Sequence, residues 1–160
     1  MPNHVYQKMR IQNWSSETSM INLKKRIFSD KNELDFNKII PQPDNIFNGN
    51  LGDEERKMCL EQNRPNWYDW NIKNWGTKWG AYSFSLKEDD ENMLSFDFQT
   101  AWNFPKPIID KVFEIFNDCE IDYLAVDEGG FFTKSVELRD GKRTEKDLKD
   151  HCNEFLFALS

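Results

Sequence analysis

Apolar and polar residues alternate with a period of two in several separate stretches of this chain, and that spacing restricts the fold more than any other feature. In residues 5–12, Val5, Met9 and Ile11 fall on one side and Tyr6, Lys8 and Arg10 on the other. Tyr82, Phe84 and Leu86 alternate, as do Leu94, Phe96 and Phe98 after the charged stretch Glu88-Asp89-Asp90-Glu91. The pair reads as a hairpin with a longer loop. Residues 121–126 and 132–138 are strand-like on either side of Asp127-Glu128-Gly129-Gly130, a turn whose glycines tolerate positive φ.

Helical spacing fills the gaps. Ser15 and Ser16 precede Met20, Leu23 and Ile27, which predicts a Ser-capped amphipathic helix ending near Ser29 and Asp30. Pro105 and Pro107 open a stripe of Ile108, Ile109, Val112, Phe113, Ile115 and Phe116 that ends near Asn117. Thr144 with Asp147 resembles a capping box leading into Leu148, Cys152, Phe155 and Leu159. Asp140-Gly141 is expected to end the last strand. The order is β-α-insertion-β-β-α-β-β-α, and its first six elements follow the split βαβ arrangement. The expectation is therefore a single α+β domain over residues 1–160: a ferredoxin-like antiparallel sheet with helices on one face, a long insertion at about 30–78 after the first helix, and an extra C-terminal strand and helix.

Within the insertion, residues 35–40 read as extended before Pro41 and Pro43, and a short charged helix is expected around 53–62. With 13 Phe, 6 Trp and 4 Tyr in 160 residues, the core is expected to be aromatic rather than aliphatic. No apolar run reaches the roughly 18 residues of a membrane span, and no export signal opens the chain, so a cytoplasmic protein without a membrane partner is expected. Cys59, Cys119 and Cys152 are scattered and odd in number, a poor basis for disulfides or zinc. His4 and His151 have no ligand pair beside them, and residues 30–35 put Leu34 where a calcium loop needs oxygen. No metal, cofactor or catalytic residue is assigned.

Two groups of residues stand out. Trp67, Trp70, Asn71, Trp75, Thr77, Lys78 and Trp79 crowd one short segment, with Trp102 further on, and they are candidates for a ligand or partner site. The same indoles could instead be packed over the sheet with Asn side chains bonding loop backbone. Net charge is −7 and its surplus lies in the C-terminal half, so Glu88, Asp89, Asp90, Glu91, Asp127 and Glu128 are candidates for an acidic partner surface. Carboxylates so spaced could also imitate a DNA backbone, although a solvated charged surface is the plainer reading.

Several segments occur in order along the chain: Met1 to Val5, residues 35–41 (Asp-Phe-Asn-Lys-Ile-Ile-Pro), residues 66–70 (Asn-Trp-Tyr-Asp-Trp), residues 74–79 (Asn-Trp-Gly-Thr-Lys-Trp), and Phe96-Asp97 to Thr100-Ala101-Trp102 with Pro105 and Pro107. Together they resemble the YubB-type ferredoxin-like domain family. The resemblance implies a ferredoxin-like fold and a gene carried by bacteriophages or conjugative plasmids, hence a bacterial host cytoplasm. It supplies no catalytic residues.

Three functional expectations follow. The first is a non-enzymatic accessory factor that binds a host or defence protein with a basic surface. The second is a small-ligand or nucleotide-binding module, with room for enzymatic activity, built on residues 67–79. The third is RNA or single-stranded DNA binding on the sheet, where Gly130-Phe131-Phe132-Thr133-Lys134 faintly resembles an RNA-binding strand but acidic neighbours repel phosphate.

Overall fold

The computed structural model describes residues 3–148. Six strands form one antiparallel sheet: β1 (His4–Gln12), β2 (Tyr82–Asp89), β3 (Met93–Ala101), β4 (Glu120–Asp127), β5 (Thr133–Arg139) and β6 (Lys142–Asp147), in the spatial order β2-β3-β1-β4-β5-β6. The helices are α1 (Met20–Lys25), α2 (Phe36–Ile39), α3 (Asp53–Glu61) and α4 (Trp67–Trp75) between β1 and β2, and α5 (Lys106–Ile115) between β3 and β4. The order β2-β3-β1-β4 is the ferredoxin-like sheet, and β5 and β6 extend it beyond β4. The class is α+β, as the alternation predicts.

Register explains which residues are core. Val5, Gln7, Met9 and Ile11 pair across to Thr100, Phe98, Phe96 and Leu94 on one side, and to Asp127, Ala125, Tyr123 and Ile121 on the other. These positions share one face, and Ile108, Ile109, Val112, Phe113 and Phe116 of the α5 region close over it together with Phe36, Ile39 and Trp75. The opposite face of β1 and β3 carries Tyr6, Lys8 and Arg10 beside Ser95, Asp97 and Gln99, with Tyr82 of β2 paired across from Gln99. Phe132 packs edge-on against Phe104, 5.8 Å between centroids.

Four expectations need correction. Helix α1 stops at Lys25, because Ile27 and Phe28 are drawn into the core and Phe28 bridges Leu34 as a short strand pair. Neither Ser15 nor Ser16 caps it: Ser19 precedes the helix, while Ser15 Oγ accepts from Glu17 N in a preceding turn. Residues 36–39 are helical rather than extended, since Asp35 Oδ1 accepts from Asn37 N at 2.9 Å and Phe36 and Ile39, three apart, both bury. Thr144 and Asp147 lie in β6, not in a capping box. Asp140 (φ 52) and Gly141 (φ 75) are both left-handed, the geometry of a two-residue hairpin turn, so the chain returns as a strand. The helix expected over Leu148 to Leu159, with His151 and Cys152, lies outside the described residues apart from Leu148.

Candidate functional site

Helix α4 organises the tryptophan-rich segment. Asn66 caps it reciprocally: its Oδ1 accepts from Asp69 N and its Nδ2 donates to Asp69 Oδ2, each at 2.9 Å. At the other end Gly76 adopts φ 85 and its N–H meets the carbonyls of Asn71 and Ile72. A Cβ there would stand 3.0 Å from Pro107 Cδ and 3.2 Å from Lys106 N, so only glycine lets α4 end directly against the start of α5.

The segment divides by role. Trp75 is buried, edge-on to Phe36 and Trp70, and its Nε1 donates to Ile40 O at 2.9 Å. Trp67 Nε1 donates to Gly49 O, and Asn71 accepts from Gln42 Nε2 while donating to Lys78 O. Thr77, also buried, donates to Ala101 O at 2.7 Å. These four have their polar atoms engaged in folding the insertion onto the sheet. Lys78, Trp79 and Trp102 instead emerge at the surface, with Lys78 Nζ 4.2 Å from the Trp79 ring centroid.

Trp79 and Trp102 are 42% and 55% exposed. Trp102 also holds φ 69, a left-handed conformation that costs a bulky residue roughly 1–2 kcal/mol. It is held there by its own N–H to Asn3 O, by Thr77 on the preceding carbonyl, and by Thr100 Oγ1 donating to Asn103 O at 2.6 Å. A cleft of about 340 Å³ opens beside it, walled by Tyr68, Ile72, Gly76, Lys78, Trp102 and Asn103. At the same end of the sheet Tyr82 meets His4 Nδ1 at 2.6 Å, and Phe131 stands 69% exposed on the β4–β5 turn. Burial, then Glu128 nearby, holds the Tyr82 phenol above its ordinary value, so it keeps its proton at neutral pH.

The acidic candidates do not form one surface. Glu88, Asp89, Asp90 and Glu91 cap the far end of the β2–β3 hairpin, whereas Asp127 and Glu128 end β4 beside His4. Eight residues of β2 separate the two ends by roughly 25 Å. Asp127 is buried, its Oδ2 accepting from Gly129 N and Phe131 N, so it belongs to the turn and not the exterior. Asp89 pairs with Lys24 at 2.7 Å, and Asp90 Oδ1 accepts from Asn92 and Met93. Glu88, Glu91 and Glu128 remain as exposed carboxylates, Glu128 with its Oε1 on His4 N.

Sequence reasoning passed over Tyr68, Ile72, Tyr82 and Phe131. A signal existed for three of them. Tyr68 and Ile72 stand four apart and so share a helix face, and of the adjacent Phe131 and Phe132 only one can point toward the core. Cys59 and Cys119 are buried free thiols, and burial together with Asp118 pushes Cys119 up to about 12. Among the described residues no group of three or more potential metal ligands gathers, and no helix is long and apolar enough to cross a membrane.

Fold and surface together define a ferredoxin-like α+β domain that presents an aromatic rim at one end of its sheet. Residues 81–155 match the family model described as the ferredoxin-like domain in Api92-like protein. That stretch begins at β2, so β1 and the four helices of the first crossover lie before it. The crystal structure of a protein api92 from Yersinia pseudotuberculosis is similar at 17% identity over 51% of this chain, with a TM-score of 0.42. The similarity spans 30% of that protein's length. No curated protein matches the chain in sequence.

Proposed function

We propose that this chain is a non-enzymatic protein-binding module whose contact surface is the aromatic rim, with Trp102 at its centre. One observation carries the reading. Trp79, Trp102 and Phe131 come from three separate segments, yet all emerge exposed at one end of the sheet, Trp102 in a left-handed backbone that internal packing does not reward. Exposed indole beside a cleft is the composition of interface hot spots, where Trp and Tyr supply most of the energy. Lys78 and Glu128 flank the rim with one charge of each sign, which suits orientation of a partner more than general attraction. The YubB-type resemblance supports a finer version, in which the gene belongs to a phage or plasmid and the partner is a host or defence protein.

The test compares three proteins as bait in host lysate: the wild-type chain, Trp102→Gly, and Glu88→Gln combined with Glu91→Gln. Glycine suits φ 69, and a melting curve matching wild type checks that the first variant folds. Its expected loss is about 2 kcal/mol or more of partner affinity, with the glutamine variant unchanged. Recovery of the same partner by Trp102→Gly, with loss in the glutamine variant, would move the contact to the acidic hairpin tip and refute this reading.

A further inference from the structure

A second cleft is larger than the one beside Trp102. It lies between α3 and α4, has a volume of about 550 Å³, and gathers Arg56, Arg64 and Lys73 against a single carboxylate, Asp69. Three cations facing one anion is a local positive surplus in a protein whose net charge is −7.

The cations are placed differently. Arg64 is fixed in advance: its Nε donates to Asn45 O at 2.5 Å, its Nη2 to Ile46 O at 3.3 Å, and its guanidinium lies 5.4 Å from the Phe47 ring centroid. Arg56 lies over Tyr68 at 5.6 Å and stands 3.7 Å from Asp69 Oδ2, an oxygen that already accepts from Asn66. Asp69 is therefore engaged in the α4 cap as well as in the ion pair with Arg56, which leaves Arg64 and Lys73 without a carboxylate of their own in the cleft. Lys73 is exposed and makes no ion pair among the described residues. Alongside the charges, Leu60 is 83% exposed at the cleft and Pro65 and Trp70 line it. The surface is thus divided into a cationic part and an apolar part.

We infer that the cleft between α3 and α4 binds a small organic molecule bearing a phosphate group, of about mononucleotide size. Guanidinium forks match phosphate oxygens in pairs, and an arginine already held by two carbonyls loses little freedom on binding. Lys73 adds a point charge, and a planar organic group lies against Leu60, Pro65 and the accessible part of Trp70. A bare inorganic anion would leave that wall and most of the volume unused. The site shares no exposed side chain with the aromatic rim, so it stands whether or not the rim binds a protein.

Calorimetric titration of the full chain at low ionic strength tests the inference, with adenosine 5′-monophosphate, uridine 5′-monophosphate, adenosine and inorganic phosphate as probes. At least one monophosphate is expected to bind, with adenosine and inorganic phosphate each weaker by about tenfold or more. Lys73→Glu is expected to weaken the monophosphate by about tenfold or more, and Leu60→Gln to weaken it without changing inorganic phosphate. Both side chains stand in solvent, and unchanged melting curves confirm that the variants fold. Absence of binding by both monophosphates at roughly 1 mM, indifference to Lys73→Glu, or inorganic phosphate binding as tightly as its esters would each overturn the inference.

Discussion

The phenol of Tyr123 donates to Gln7 Oε1 at 2.5 Å in the centre of the sheet, where both residues are buried. Gln7 Nε2 in turn donates to Thr100 Oγ1 at 2.7 Å, and Thr100 donates to Asn103 O. A file of hydrogen bonds, buried through Tyr123, Gln7 and Thr100, thus runs from the β1–β4 pair to the turn that carries Trp102. Burial raises the Tyr123 phenol well above its ordinary value, so it stays a donor at neutral pH.

Removing one end of that file strands a buried acceptor. Tyr123→Phe is expected to cost about 1–3 kcal/mol, and pairing it with Gln7→Leu is expected to recover part of the loss, because no orphaned carbonyl then remains on that side. Urea unfolding of the single and double variants measures the coupling. Strictly additive losses would show that the hydrogen bond contributes nothing beyond packing.

Gly76→Ala probes the seam between α4 and α5. The left-handed backbone and the approach of Pro107 and Lys106 both oppose a Cβ, so the expected loss is about 1–2 kcal/mol from conformation alone, with more from the contact. Thermal melting reads it. A variant as stable as wild type would mean that α4 can end elsewhere.

Asp97 gives a pH-dependent expectation. Burial raises its carboxyl above the ordinary carboxylate value by more than Lys8 and Lys87 lower it, and its Oδ1 is sealed from solvent without a hydrogen-bond partner. The folded chain then holds this proton more tightly than the unfolded chain. That contribution to stability is complete below the unfolded value near about 3.9 and is lost as pH rises through the raised folded value. Asp97→Asn should therefore melt higher than wild type at neutral pH, with the gap closing toward about pH 3. A lower melting temperature at neutral pH would show that attraction to the two lysines outweighs the cost of burial.

Asp127 anchors the turn that presents Phe131. Asp127→Ala removes the acceptor for Gly129 N and Phe131 N, at an expected cost of about 1.5–3 kcal/mol, since both bonds go to a carboxylate. Amide exchange at Gly129 and Phe131 should accelerate selectively. Unchanged exchange there would mean that the backbone alone holds the turn.

Period-two alternation and the α5 stripe were enough to place β1 to β5 and the helix that covers them, because each strand buries one face and its residues repeat that fact locally. The same local logic misplaced residues 36–39 and β6. In the first, one Asp side chain capped a turn that proline seemed to forbid. In the second, an Asp-Gly pair reversed the chain where a helix start resembled Thr144 and Asp147.

The tryptophan segment announced itself by composition, yet composition could not separate Trp75, sunk in the core, from Trp79 beside it in sequence and exposed. Nor could it bring Trp102 to Lys78, or Arg56 and Arg64 to Lys73. Those arrangements depend on how α3 and α4 lie across the sheet, and burial is a relation between distant segments that no single stretch encodes. Local periodicity determined the strands and the main helix. Long-range packing decided which aromatic rings and which charges were left facing outward.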